Sequence, residues 1–158
     1  MFIAMDTGAQ KQEVLDFLRS QFIMSVAVAE DNKPSSSILL YYVDADLNFF
    51  FATHRSSHKA QKLLKNPQIS LSVWEHKNMM IQVDGVASEI TAEQDKLAII
   101  DRLAESAMKG QDFWPPLLRI GGQDYIVFKI KPTWIRKLDL KRDTMTQEET
   151  PFTDINLG

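Results

Sequence analysis

The chain contains no cysteine among its 158 residues. That absence excludes disulfides, thiol nucleophiles and thiolate metal sites, and it fits a reducing, cytoplasmic setting. No run approaches the roughly 20 apolar residues that a membrane helix needs. Residues 1–8 lack a basic start followed by a long apolar stretch, so no secretory signal is expected. There is no internal repeat and no low-complexity tract. Positive charge is not in excess either: 18 Lys and Arg face 21 Asp and Glu, a net charge of −3. A nonspecific nucleic-acid binder normally carries a broad basic surface, which this balance argues against. No catalytic triad, metal cluster or glycine-rich phosphate loop stands out. His54 and His58 are four apart, but His54 precedes a helix cap and has no neighbouring carboxylate, so no metal is expected. The lack of an evident nucleophile or acid–base pair is consistent with a bound cofactor carrying the chemistry.

Against this acidic background one segment is locally positive. From His54 to Lys65 the chain places Arg55, Lys59, Lys62 and Lys65 and two histidines, with no acid among them. Ser56–Ser57 reads as a helix N-cap and Asn66–Pro67 as its stop. A helix N-terminus offers unpaired N–H groups and partial positive charge, so Arg55, His58 and Lys59 in the first turn make a phosphate seat. Ala60, Leu63 and Leu64 fall at i, i+3 and i+4 and form the predicted buried stripe. His58, Lys62 and Lys65 then occupy the solvated face. Lys59 lies on the flank, where it can reach a ligand.

Around this helix the pattern is mostly strand. Gln10–Ser20 is an amphipathic opening helix. Phe22–Ala29, Ser35–Val43 and Leu47–Thr53 read as three strands in an antiparallel meander, joined by polar turns at Glu30–Lys33 and Asp44–Asp46. Phe49 and Phe51 fall on one face and Phe50 on the other; Tyr41 and Tyr42 likewise diverge. Gln68–Glu75 and Met79–Ile90 follow, with a turn at His76–Asn78. Gly85 marks a bulge or a close backbone approach. Thr91–Gln94 has the form of a capping box, opening a helix to about Met108 with Leu97, Ile100, Leu103, Ala104 and Ala107 inward. Trp114–Pro115–Pro116 reads as a loop and Gly121–Gly122 as a turn. Tyr125–Lys131 and Trp134–Leu140 are two further strands, split by Pro132–Thr133. The expected fold is one mainly β domain over residues 1–158, a six- to seven-stranded antiparallel split β-barrel with flanking helices. Residues 1–21 supply an N-terminal helix, and residues 141–158 a polar tail expected to pack loosely or on a partner.

Strand pattern and basic helix together resemble the pyridoxamine 5′-phosphate oxidase-like, flavin-binding split-barrel superfamily, over roughly Phe17 to Leu140. The segments that carry the resemblance are Val26–Ala29 with its polar turn and Pro34, then Phe51–Ala52–Thr53 running into Ser57–His58–Lys59–Ala60 and Asn66–Pro67. The third is Val83–Asp84–Gly85–Val86–Ala87.

The resemblance implies FMN at the interface of a homodimer, with hydride or electrons passed to or from a small molecule. It implies cofactor contacts from Ser37, Ile38, Leu39 and Tyr42 on one strand, from Ala52 and Thr53, from Ser57, His58 and Lys59, and from Gln82 in mid-strand. The oxidase proper has arginines where Ser37 and His58 stand and a lysine where Tyr42 stands. Of that cationic set only Lys59 is kept. The oxidase's arginine-containing C-terminal segment, which helps hold its substrate, has no match between Lys137 and Gly158. The implied reading is a relative on the same scaffold, not the pyridoxamine-phosphate oxidase itself. Its rivals are a split-barrel protein using deazaflavin or haem, and a noncatalytic flavin-binding protein for storage or sensing.

Overall fold

Period-two alternation of apolar and polar residues dominates the structure, a computed structural model that describes residues 7–110, 124–141 and 150–158. An opening helix α1 (Thr7–Ser20) leads to β1 (Ile23–Glu30), β2 (Lys33–Leu40), β3 (Tyr42–Val43) and β4 (Phe49–His54). Helix α2 (His58–Lys65), β5 (Gln68–Glu75), β6 (Met79–Glu89), α3 (Glu93–Ala107), β7 (Tyr125–Asp139) and β8 (Phe152–Asp154) follow. All pairings are antiparallel, in the order β2-β1-β5-β6-β7-β4-β3, with β8 added beside β7. Because β2 and β3 are separated only by Tyr41, the two ends of this ladder belong to nearly continuous chain. The sheet therefore curls back on itself, as a split barrel does.

The inward set is apolar on every strand: Val26 and Val28, Phe49 and Phe51, Leu71 and Val73, Ile81 and Val83, Phe128 and Ile130. Ala60 and Leu63 of α2 join this core, as do Val14, Leu15, Phe17 and Leu18 of α1. A second, smaller cluster forms on the outer face, where Leu103 and Ala107 of α3 cover Leu40, Ala52 and Val127. Tyr41 belongs to the first cluster and Tyr42 to the second, as their opposite facing predicts. The β1–β2 turn places Asp31 and Asn32 at φ 50° and 60°, the left-handed pair that a two-residue hairpin requires.

Several expectations change. The first three strands are not a simple meander: β2 pairs with β1, while β3 pairs with β4, so the predicted Ser35–Val43 strand bends at Tyr41. The two predicted final strands are one, β7, because Pro132 is absorbed at a bulge. Gly85 faces Pro132 and Asp84 faces Trp134, leaving Thr133 unopposed. Gly85 explains how this is possible, since a Cβ there would stand 2.8 Å from both the Ile130 side chain and the Lys131 carbonyl oxygen. The capping box does not form. Helix α3 starts later, with Ala92 at its N-cap and no side-chain cap bond. Leu64 and Leu97 are exposed, because each helix buries a narrower stripe than its apolar content indicates. The described end of the tail, residues 150–158, packs on its own chain: β8 extends the sheet and Ile155 is buried in the main core. The predicted loop at Trp114–Pro116 and turn at Gly121–Gly122 lie outside the described residues. No helix among the described residues is long and apolar enough to cross a membrane.

Candidate functional site

Ser57 organises the start of the basic helix. Its side chain accepts the Ala60 N–H at 3.2 Å, the bond of an N-cap, and also accepts the Thr53 hydroxyl at 3.2 Å. With both lone pairs engaged, the proton of Ser57 remains to be donated outward. Thr53 itself is buried at the end of β4, so strand end and helix start are locked into one unit. Asn66 closes the other end as predicted, its N–H on the Lys62 carbonyl at 2.8 Å, and its side chain donates to the Ala29 carbonyl at 3.1 Å. These bonds fix α2 against the β1–β2 hairpin.

The four cations of this segment have different fates. Arg55 is paired with Glu89 at 2.7 Å and Lys65 with Glu30 at 2.5 Å, both at the surface. The pairing lowers the pKa of Glu30 and raises that of Lys65, chiefly through their mutual hydrogen bond. Lys62, predicted to be solvated, is half-buried and donates to Ser35 of β2 at 3.0 Å. Lys59 alone has no ion pair or hydrogen bond to its side chain among the described residues. It is half-buried, and burial pulls its pKa below the ordinary lysine value. A desolvated ammonium beside free helix N–H groups and an outward hydroxyl is a donor set that suits a phosphate dianion.

The remaining predicted residues divide. Ser37 and Leu39 are partly buried on the inward side of β2, which contacts β4 and is bonded to α2 through Ser35 and Lys62. Ile38 is 68% exposed on the other side of that strand, and His58 is exposed at the first position of α2. Ala52 and Tyr42 both belong to the cluster under α3, where Tyr42 packs on Phe50 with ring centroids 5.7 Å apart. Gln82 lies apart from Lys59. It lines an outer-face depression of about 320 Å³ with Ser25, Ser72, Asp84 and Trp134, and no residue of α2 borders it. Within one chain, then, Thr53 and Ser57 are hydrogen-bonded at the start of α2, two residues before Lys59, and Gln82 lies elsewhere. The Lys62–Ser35 bond was missed from sequence, since the two residues are 27 apart and helix phase alone put Lys62 in solvent.

Residues 10–139 match the family model for pyridoxamine 5′-phosphate oxidase, and the chain belongs to that family. Among curated relatives, a pyridoxine/pyridoxamine 5′-phosphate oxidase of Dichelobacter nodosus is 29% identical over 109 residues, 68% of this chain and 50% of the relative. The chain spans half the length, or less, of the curated relatives it matches. Two solved structures share the fold. One is an FAD-binding protein of Mesorhizobium loti (TM-score 0.62, 18% identity, 80% of this chain and 91% of the other). The other is a haem-storage protein of Vibrio cholerae (TM-score 0.61, 17% identity, 77% and 88%). At such identities the likeness shows the fold alone.

Ser57→Ala removes the cap and should lower stability by about 1 kcal/mol, or about 2–4 °C in thermal unfolding. Ser57→Asp keeps a capping acceptor and should retain most of that stability. Equal losses for the two variants by circular dichroism would show that the cap is not what Ser57 contributes.

Proposed function

We propose that this chain is an FMN-binding oxidoreductase of the pyridoxamine 5′-phosphate oxidase family that passes hydride or electrons to or from a small molecule other than pyridoxamine phosphate. The observation that carries this reading is Lys59: a half-buried cation without an acidic partner among the described residues, at the first turn of a capped helix. The donor set fits the group. Lys59 would neutralise the phosphate, the Ser57 hydroxyl and the first N–H groups of α2 would donate to it, and Thr53 would hold Ser57 in place. The β2 segment at Ser37, Ile38 and Leu39 would border the rest of the cofactor. When bound, FMN supplies a ring system that takes up and releases hydride, for which no side chain can substitute. The family match supports a flavin in general, and the phosphate seat is what favours FMN in particular.

We place the cofactor at the interface of a homodimer. Gln82 faces away from α2 in its own chain, so a cofactor contact from Gln82 would be made to the partner's FMN. Sedimentation should give twice the 18.1 kDa of one chain, and a concentration-independent single-chain mass would contradict this part.

The purified protein should show flavin absorption, and a Soret band in its place would overturn the reading. Lys59→Ala should weaken FMN by about tenfold or more, as expected for one charge-assisted hydrogen bond. Lys65→Ala, at an exposed pair, should change affinity by less than about threefold. Lys59→Met should leave the cofactor-free protein at least as heat-stable as the parent, because it removes a desolvated charge. If Lys65→Ala proved as damaging to FMN as Lys59→Ala, the phosphate would not sit where Lys59 points.

A further inference from the structure

Strand β7 changes neighbours along one edge. Its pairing with β4 ends at Ile130 opposite Phe49, and its pairing with β8 begins at Arg136 opposite Asp154. Between them Lys131, Pro132 and Thr133 have no partner strand on that edge among the described residues, and a cavity of about 600 Å³ opens there. Lys129 and Lys131 border it from β7, Lys11 from α1 and Asp46 from the β3–β4 turn. Strand alternation puts Lys129 and Lys131 on the same face. The register gives them no counter-charge: Lys129 stands between Phe50 and Ser88, and Lys131 opposite Val86. None of the three lysines has an ion pair or a side-chain hydrogen bond among the described residues. Lys11 and Lys129 are nevertheless half-buried. Asp46 is the one acidic side chain among the described residues of the wall. A carboxylate at Gly158, which also borders the cavity, would still leave the cations in excess. Like charges gathered in a concave space, in a chain of net negative charge, favour an anion among them.

The rest of the wall narrows the class of anion. The Thr133 hydroxyl already donates to the Asp84 carbonyl at 3.1 Å, and the Asn48 amide to Asp44 at 2.9 Å. The free side-chain donors therefore come mainly from the lysines. No guanidinium fork and no aromatic ring lines the space, so a planar carboxylate or a stacked ring has no matching surface. Ammonium groups are compact point charges with three donors each, which suits tetrahedral phosphate oxygens. A single phosphate would occupy a small part of the cavity, whereas a row of linked phosphates can meet all three lysines. We propose that this cavity binds an oligophosphate, its linked phosphates shared among Lys11, Lys129 and Lys131. A free triphosphate and the tail of a nucleoside triphosphate offer the same chemistry. No residue of α2 lines the cavity, so the proposal stands or falls separately from the FMN site.

Calorimetric titration with inorganic tripolyphosphate tests it, in saturating FMN so that the α2 seat is occupied. Saturable binding with a Kd of about 100 μM or tighter is expected. Inorganic phosphate should bind at least about tenfold more weakly, since it meets fewer of the lysines. Adenosine triphosphate binding tighter than tripolyphosphate would assign the site to a nucleotide, and weaker or equal binding to the free oligophosphate. Lys11→Gln and Lys129→Gln should each weaken tripolyphosphate by about tenfold. Lys77→Gln, the same loss of charge in the exposed turn between β5 and β6, should change it by less than about twofold. Asp46→Asn should tighten binding severalfold, a gain that damage to the fold cannot imitate. Failure to saturate, phosphate binding as tightly as tripolyphosphate, or undiminished affinity in both Lys11→Gln and Lys129→Gln would each overturn the assignment. The comparison of the two phosphates uses the unaltered protein, so a variant that fails to fold does not blunt the test.

Discussion

The hydroxyl of Tyr41 donates to the Leu18 carbonyl at 2.5 Å, and closure of the sheet depends on that contact. Tyr41 is the single residue between β2 and β3, the strands at the two ends of the ladder. Its N–H reaches the Phe22 carbonyl at 3.1 Å, and its ring packs on Phe49 with centroids 5.6 Å apart. One residue thus ties the end of α1, the approach to β1 and the start of β4 to the bend. Burial pushes its pKa far above the ordinary phenol value, so it remains a neutral donor at any working pH. A buried hydroxyl without its acceptor would cost about 1–3 kcal/mol, which holds the bend to one geometry. That geometry sets β2 against β4 and lets Ser35 of β2 meet Lys62 of α2.

Lys59 is the counterpoint to Tyr41. Where the tyrosine is buried and satisfied, the lysine is half-buried and has no partner among the described residues. Its lowered pKa means that folding disfavours the charged form. The cost is therefore present at neutral pH and is relieved as pH rises from the lowered folded value towards the ordinary one. Lys137 avoids this. Almost fully buried, it is paired with Glu13 at 2.7 Å and anchors α1 to β7. A protein that pairs Lys137 and leaves Lys59 open retains an unfavourable charge where an anion can offset it, a common trade between stability and binding.

Much of this was legible in the sequence, for identifiable reasons. Strand alternation located β1, β4, β5 and β6, because one apolar face must be buried and a one-residue slip would reverse it. Ser57 and Asn66 marked the ends of α2 because capping is local chemistry. Gly85 was readable because a glycine in a strand implies a close approach. What failed was non-local. Nothing near Pro132 tells that a bulge opposite Gly85 will let β7 run through it. The switch of the predicted third strand's pairing at Tyr41 depends on how the whole ladder curls. Leu64 and Leu97 fit their helical stripes by spacing, yet both are exposed. At the candidate site the Ser57–Lys59 segment was legible. The half-burial of Lys62 and its bond to Ser35 were not.

The central claim is that the start of α2 holds the phosphate of a flavin mononucleotide. Comparing FMN with riboflavin by fluorescence titration tests it most directly, since the two ligands differ only in that phosphate. The account predicts FMN binding tighter by about tenfold or more, with the advantage shrinking as added salt screens the charge. Equal affinities for the two flavins would contradict it.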